Sequence, residues 1–222
     1  MKRLLFALFL FSAISNVAAN LGNYSFKVFE GNDQFQEPVY SFALPRFMQL
    51  MNSYPYLYDI NYDETREIYD LWALRKDSTI IMAYCDGEPA GYIRGMGFDI
   101  ILSVMVQACK DAGLDVQTYY YISDEFIDPA HRNKGLSKQL FKELEAYAVS
   151  QGYLHGVLDS EAHENHPLKP KNFKEIDYSK LGYTLSSEVV CILSGDVQAE
   201  NGNTFTVDHP HQIDFWFKDL SN

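Results

Sequence analysis

Positive charge is scarce in this sequence: 18 Lys and Arg stand against 30 Asp and Glu, a formal net charge of −12. So acidic a chain is repelled by phosphate backbones, which argues against nucleic acid as its main partner. The acidity suits a cationic amine, and equally a plain solvated surface. Cysteine is scarce too. Cys85, Cys109 and Cys191 show no metal-ligand spacing and each sits in an apolar run, so three buried thiols are expected rather than a disulfide framework. His163 with His166 and His209 with His211 have no Cys ligand beside them and lie on no clear helix, and no metal is expected. Linkers rich in Pro and Ser, low-complexity tracts and internal repeats are lacking, which argues against a second domain.

Long apolar runs are lacking as well, with one exception at the start. Lys2-Arg3, then Leu4 to Ile14, then the small residues Val17-Ala18-Ala19 have the order of a secretory signal peptide with its cleavage site. The run is shorter than the roughly 18 residues that span a bilayer, so no stable membrane anchor is expected, and a buried N-terminal helix is the alternative. The expectation is a leader over residues 1–19, export to a periplasm or medium, and a single domain over residues 20–222. An aromatic fraction of 15% and a hydrophobic fraction of 47% suit one packed core.

The chain is organised around residues 118–152. Tyr119-Tyr120-Tyr121-Ile122 suits a buried strand, and Asp128-Pro129 stops it. Arg132-Asn133-Lys134-Gly135-Leu136-Ser137 follows, a short basic loop with a glycine. Leu136, Leu140, Phe141, Leu144, Tyr147 and Ala148 then recur at helical spacing. A helix start carries unpaired N–H groups and a partial positive charge, which suit phosphate oxygens. Gly135 and Ser137 keep the approach small while Arg132 and Lys134 add full charge, so the loop has the make-up of a pyrophosphate cradle.

RxxGxS after a strand that ends in Asp-Pro resembles the acyl-CoA-binding motif of the GNAT N-acetyltransferase superfamily, Q/RxxGxG/A, with Ser137 in place of Gly or Ala. Farther on, Tyr178 to Tyr183 is similar to a second signature of that superfamily, close to Tyr-x-x-x-Gly-Phe. Here Tyr183 stands for Phe, and Lys171 holds the place of a frequent Asn, with Asn172 one residue off. YPYLYD at 54–59, His166-Pro167 and His209-Pro210 are similar to a little-characterised bacterial branch.

The resemblance implies an α/β (α+β) fold, a GNAT-like acyl-CoA N-acyltransferase, with a mixed, twisted central sheet flanked by helices. Helices are expected near 41–51, from about Asn61 with Thr65, Ile68, Tyr69 and Trp72 buried, and as an extra element near 99–112 whose buried face is Ile100, Ile101, Val104, Met105 and Ala108. Strands are expected at 24–29, 79–84, 90–94, 154–159, 188–193 and 212–218, with a polar loop over 194–203. The first two helices and the 54–59 stretch would form either an acceptor wall or a plain core-covering loop.

The resemblance further implies acetyl-CoA as co-substrate. Its pantetheine arm would pair with the free edge of Tyr119 to Phe126, with Ile122, Phe126 and Ile127 beside it, and its pyrophosphate would sit on Arg132, Asn133, Lys134, Gly135, Leu136 and Ser137. The implied reaction is direct acetyl transfer to a primary amine of a small molecule or protein. An amine attacks only when neutral, so a carboxylate or a water chain must take its proton. In a regular strand Asp124 shares a face with Ile122 and Phe126, which favours Asp124 as base, with Glu125 as second choice and a solvated acidic strand end as the alternative to both. Tyr178 is the candidate acid for the leaving thiolate, or else a core tyrosine.

Export conflicts with the supply of acetyl-CoA. Delivery into another cell, action in the cytoplasm, or a non-catalytic exported binding module on the same scaffold would each resolve it.

Overall fold

The computed structural model describes residues 23–31, 35, 37–52, 62–162, 177–198 and 202–221. The leader, the 54–59 stretch, His163, His166 and the region around Asn172 lie outside the described residues.

Strand β1 (Tyr24–Glu30) is followed by a π turn at Val39–Ala43 that runs into α1 (Leu44–Asn52), and then by α2 (Tyr62–Ala73). Thr65, Tyr69 and Trp72 are buried on α2, the predicted stripe, and Asp63 and Glu64 favour its positive end. Strands β2 (Thr79–Cys85) and β3 (Glu88–Gly97) form the predicted hairpin, turning at Asp86 and Gly87, both with positive φ. Almost every residue of β2 and β3 is buried, because helices cover both faces of the sheet.

The predicted 99–112 helix is broken. A 3₁₀ turn at Phe98–Ile100 is followed by extended Ile101, and only Ser103–Asp111 is α-helix (α3). That break turns the buried face to Met105, Val106 and Cys109 and leaves Val104 at the surface. Strand β4 (Tyr119–Ile127) leads through the basic loop into α4 (Leu136–Ser150), which buries Leu136, Leu140, Phe141, Leu144 and Ala148 as its periodicity predicts. Strand β5 (His155–Ala162), a 3₁₀ turn at Tyr178–Leu181, β6 (Thr184–Leu185), β7 (Cys191–Gln198) and β8 (Thr204–Asp219) complete the described chain. The predicted polar loop is shorter than its composition implies, since β7 continues through Gln198 and pairs with β8 as far as Thr204.

The sheet runs β1-β2-β3-β4-β5-β8-β6, with β7 also on β8. Among the described residues only β4 and β5 pair in parallel, joined by α4. Helix α4 packs on one face with Ile81, Ile93, Tyr120, Ile122 and Leu158. On the other face, Tyr69, Trp72 and Leu44 of α1 and α2 meet Met82, Tyr92 and Phe126, while Cys109 of α3 meets Val157, Cys191 and Phe215. Cys109 and Cys191 are buried free thiols and burial raises both, to about 12 and about 11, whereas Cys85 is only half-buried.

One irregularity in β4 matters most. Arg94 of β3 pairs with Asp124 but the next residue, Gly95, pairs with Ile122, so Ser123 is an extra residue, a β-bulge. A side chain on Gly95 would place its Cβ 2.9 Å from the Tyr121 carbonyl and 2.4 Å from the Tyr120 ring. Gly95→Ala is therefore expected to strain the bulge and cost about 1–3 kcal/mol, measured by urea unfolding.

Candidate active site

The bulge exchanges the two faces of β4. Before it, Tyr120 and Ile122 face α4; after it, Phe126 packs with α1 and α2, while Ile127 returns to the α4 side. Asp124 does not share a face with Ile122, because the inserted Ser123 shifts the alternation by one.

The pairing of β4 with β5 ends at Ile122 with Leu158. Among the described residues, β4 continues beyond that pair to Ile127 held only by β3, and β5 continues to Ala162 held only by β8. The strands thus part, leaving one edge of β4 from Ser123 onward without a partner among the described residues. Tyr120 to Ile122 have no such edge, since they are paired on both sides.

The parted strands lie beside the start of α4. Asn133 and Gly135 both take left-handed conformations, with φ of 61° and 79°, and a Cβ built on Gly135 meets nothing within 4 Å. The glycine is thus required by the backbone, and the space before the helix is open. Arg132, Asn133 and Lys134 are exposed around it, and the Arg132 Nε donates to the Ile127 carbonyl at 3.1 Å, tying the loop to the strand end. An open helix start with two cations fits a diphosphate, so the cradle passes that test on its own geometry.

Three carboxylates flank the parting, each in a different setting. Asp124 turns toward α1 and α2 and forms a short ion pair with the buried Arg94, which also donates from Nε to Ser123 Oγ at 2.8 Å. The Arg94 guanidinium carbon lies 3.6 Å from the Trp72 ring centre, 4.9 Å from that of Tyr69 and 5.0 Å from that of Phe47. Asp124 is thereby fixed as a counter-ion.

Glu125 turns the other way, and its Oε2 accepts the Ser137 hydroxyl at 3.0 Å. Burial raises its carboxyl to about 7, against the lowering effect of that hydrogen bond. Asp159, which sequence reasoning placed only as a strand residue, is the first β5 residue past the last β4 pair. It accepts a short hydrogen bond from the Tyr121 hydroxyl, and burial raises its carboxyl to about 6, again against the pull of the hydrogen bond. Its neighbours Val157 and Phe215 place it on the α3 face, opposite α4. A single Asp in an apolar strand carries no motif, so only the parallel pairing finds it.

Tyr178 lies on the α4 side, half-buried, with its ring centre 6.3 Å from Phe141 and 5.7 Å from Trp216. Trp216 donates to Ser160 Oγ at 3.0 Å, which links this ring cluster to β5 just past the parting. The turn carrying Tyr178 is pinned by Lys218, which bonds Glu145 of α4 at 2.7 Å and the Leu181 carbonyl at 2.9 Å. Ile122, Phe126 and Ile127 all lie on β4, but Ile122 is paired on both sides and Phe126 points away from α4. Among the described residues no group of three or more His, Cys, Asp or Glu is placed to hold a metal ion.

The family and the fold, apart from the site, are found among known proteins. A family model described as the acetyltransferase (GNAT) family matches residues 44–170, more than half of the chain. The chain belongs to the GNAT acetyltransferase family. The GNAT fold is repeated in solved structures at low identity. An N-acetyltransferase from Staphylococcus aureus Mu50 is 16% identical with a TM-score of 0.52, over 89% of this chain and 99% of that one. The protein yncA of Salmonella typhimurium, assigned as an acetyltransferase and solved with its cofactor acetyl-CoA, is 13% identical with a TM-score of 0.54, over 90% and 96%. A search of curated proteins finds no significant match. The fold is thus the GNAT acyl-CoA N-acyltransferase fold, a mixed sheet between helices.

The Arg94–Asp124 pair gives a stability test. Arg94→Met leaves Asp124 buried without its partner and is expected to cost about 3–5 kcal/mol. Arg94→Met with Asp124→Leu removes both charges and is expected to recover most of that loss in urea unfolding.

Proposed function

We propose that the chain is an N-acetyltransferase that moves an acetyl group from acetyl-CoA to a primary amine by direct attack. The observation that carries this reading is the free edge of β4 opening beside the start of α4. Arg132, Asn133, Lys134, Gly135, Leu136 and Ser137 hold the diphosphate, and the Ser123–Ile127 edge, with Phe126 and Ile127, holds the pantetheine arm. Acetyl-CoA, when bound, supplies an acyl group activated as a thioester.

The acceptor enters from the face of α1, α2 and α3. Two features suit it: the net charge of −12 of the chain as a whole, and on that face a carboxylate at the mouth of the parted strands. Asp159 is placed to take the proton of the ammonium on its side-chain oxygen, with Tyr121 holding that oxygen in place. Asp124 is less suited to that step, because its Oδ1 is paired with the buried Arg94 guanidinium. Tyr178, on the opposite face, holds the hydroxyl proton that the leaving sulfur needs. A single domain over residues 20–222 and export directed by residues 1–19 complete the proposal. No described helix is long and apolar enough to cross a membrane.

Calorimetric titration of the purified protein with acetyl-CoA is the first test. Micromolar binding is expected in the wild type. It is expected to be lost in Gly135→Val, where a β-branched residue is forced into the left-handed region while thermal melting shows the domain still folded. A folded wild type that binds no acetyl-CoA would overturn the reading. With an amine panel and a thiol-release assay, Tyr178→Phe is expected to keep acetyl-CoA binding and lose about 10² in turnover. Asp159→Asn is expected to lower kcat/KM by about 10² or more and to abolish a rise in activity through about pH 6, where Asp159 ionises. An unchanged pH profile would remove Asp159 from the mechanism.

A further inference from the structure

A carboxylate lies where an anion site has least use for one. Glu125 reaches from β4 to the first turn of α4, where Ser137 Oγ lies 3.0 Å from its Oε2. Its other oxygen, Oε1, is buried and has no hydrogen-bond partner among the described residues. The basic loop from Arg132 to Gly135 stands at the same helix start. A diphosphate seated there faces the negative charge of a buried carboxylate beneath the cradle, which water screens less than it would an exposed one.

We propose that Glu125 belongs to the cofactor cradle and is neutralised by one proton taken from solvent when a diphosphate binds, an inference that rests on the acyl-CoA reading above. The Ser137 hydroxyl is the link. While Glu125 is a carboxylate, Ser137 donates its only hydroxyl proton to Oε2 and offers the loop none. Once Glu125 is protonated, the acid O–H donates to Ser137 Oγ, and Ser137 turns its own proton toward a phosphate oxygen. One proton is gained, none is lost, and only hydrogen bonds change.

The surroundings favour such a switch. His131, Arg132 and Lys134 stand on the loop and Lys138 on the first turn of α4. Across the sheet Ile93 of β3 faces Glu125 in register, and Tyr24 of β1 and Cys85 of β2 pack into the same core cluster. Tyr24 is bonded to His131 at 2.7 Å. Arg94 and Asp124 are paired with each other on the opposite face. Burial and the Ser137 hydroxyl are the two influences on the Glu125 carboxyl, and they leave it near 7, so either protonation state is within easy reach.

The sign follows directly. A bound dianion favours the protonated acid and raises its pKa above that of the free protein. Binding therefore takes up a proton, and affinity is highest below about pH 7 and falls as pH rises above it. This coupling also separates Glu125 from the chemistry: it serves the cofactor, and a proton-accepting role is left to the other face of the sheet.

The test uses CoA itself as the probe, with the full protein titrated calorimetrically from about pH 6 to about pH 9 in buffers of differing ionisation enthalpy. The wild type is expected to take up about half a proton at pH 7, approaching one by about pH 8, so that its Kd changes little below pH 7 and its rise approaches about tenfold per pH unit only by about pH 8. Glu125→Gln keeps an amide donor for Ser137 and is expected to bind with both effects gone. Proton exchange by CoA and by the loop is common to both proteins and cancels in the difference. Equal proton uptake and equal pH slopes in the two proteins, or a wild type that binds with no proton linkage, overturn this inference and leave the acyl-CoA reading intact. A folded wild type that binds no CoA at any pH overturns both.

Discussion

The parallel pairing of β4 with β5 stops at Ile122 and Leu158, and the placement of every candidate group follows from that stop. Two features produce it. Ser123 inserts an extra residue into β4, which bends and twists the strand away from its neighbour, and β5 is drawn the other way by its long pairing with β8. Arg94 holds the bulge from beneath, bonded to both Ser123 and Asp124 and enclosed by Trp72, Tyr69 and Phe47. A buried ion pair contributes little net stability over an apolar replacement, so its value here is geometric: it fixes which way the chain turns after Ile122.

Because the strand changes face at the bulge, carboxylates close in sequence or space come to differ in chemistry. Asp124 is a counter-ion, Glu125 sits under the helix start, and Asp159 faces the opposite mouth of the opening. Burial raises both Glu125 and Asp159, yet their partners differ: a serine of the cradle for one, a tyrosine of the central strand for the other. The change of face at the bulge then puts the proposed cofactor cradle and the proposed proton acceptor on opposite sides of the sheet.

Much of the fold was legible because periodicity and punctuation are local. The α4 stripe, the Asp86-Gly87 hairpin, the Gly135 helix start and the RxxGxS spacing all lie within short windows of sequence. Less legible were features set by partners distant in sequence. Nothing near Asp124 signals that Arg94, thirty residues earlier, will claim it, and a regular strand would have put Asp124 on the Ile122 face. The extra helix misled in a similar way: its apolar residues fit one continuous helix, but packing of Phe98 against Tyr121 and Phe215 favours a 3₁₀ turn and a break at Ile101. Asp159 became visible only when the last rung of the parallel ladder was known.

Hydrogen exchange of the full protein with and without acetyl-CoA tests the central claim most directly, since it reports where the ligand lies without needing an acceptor. Slowed exchange is expected in two separate stretches, the free β4 edge over residues 123–127 and the cradle over residues 133–138, with β1 and β2 unchanged. Protection confined to other elements, or to the cradle with the β4 edge unaffected, would contradict the claim that the parted strands form the cofactor site.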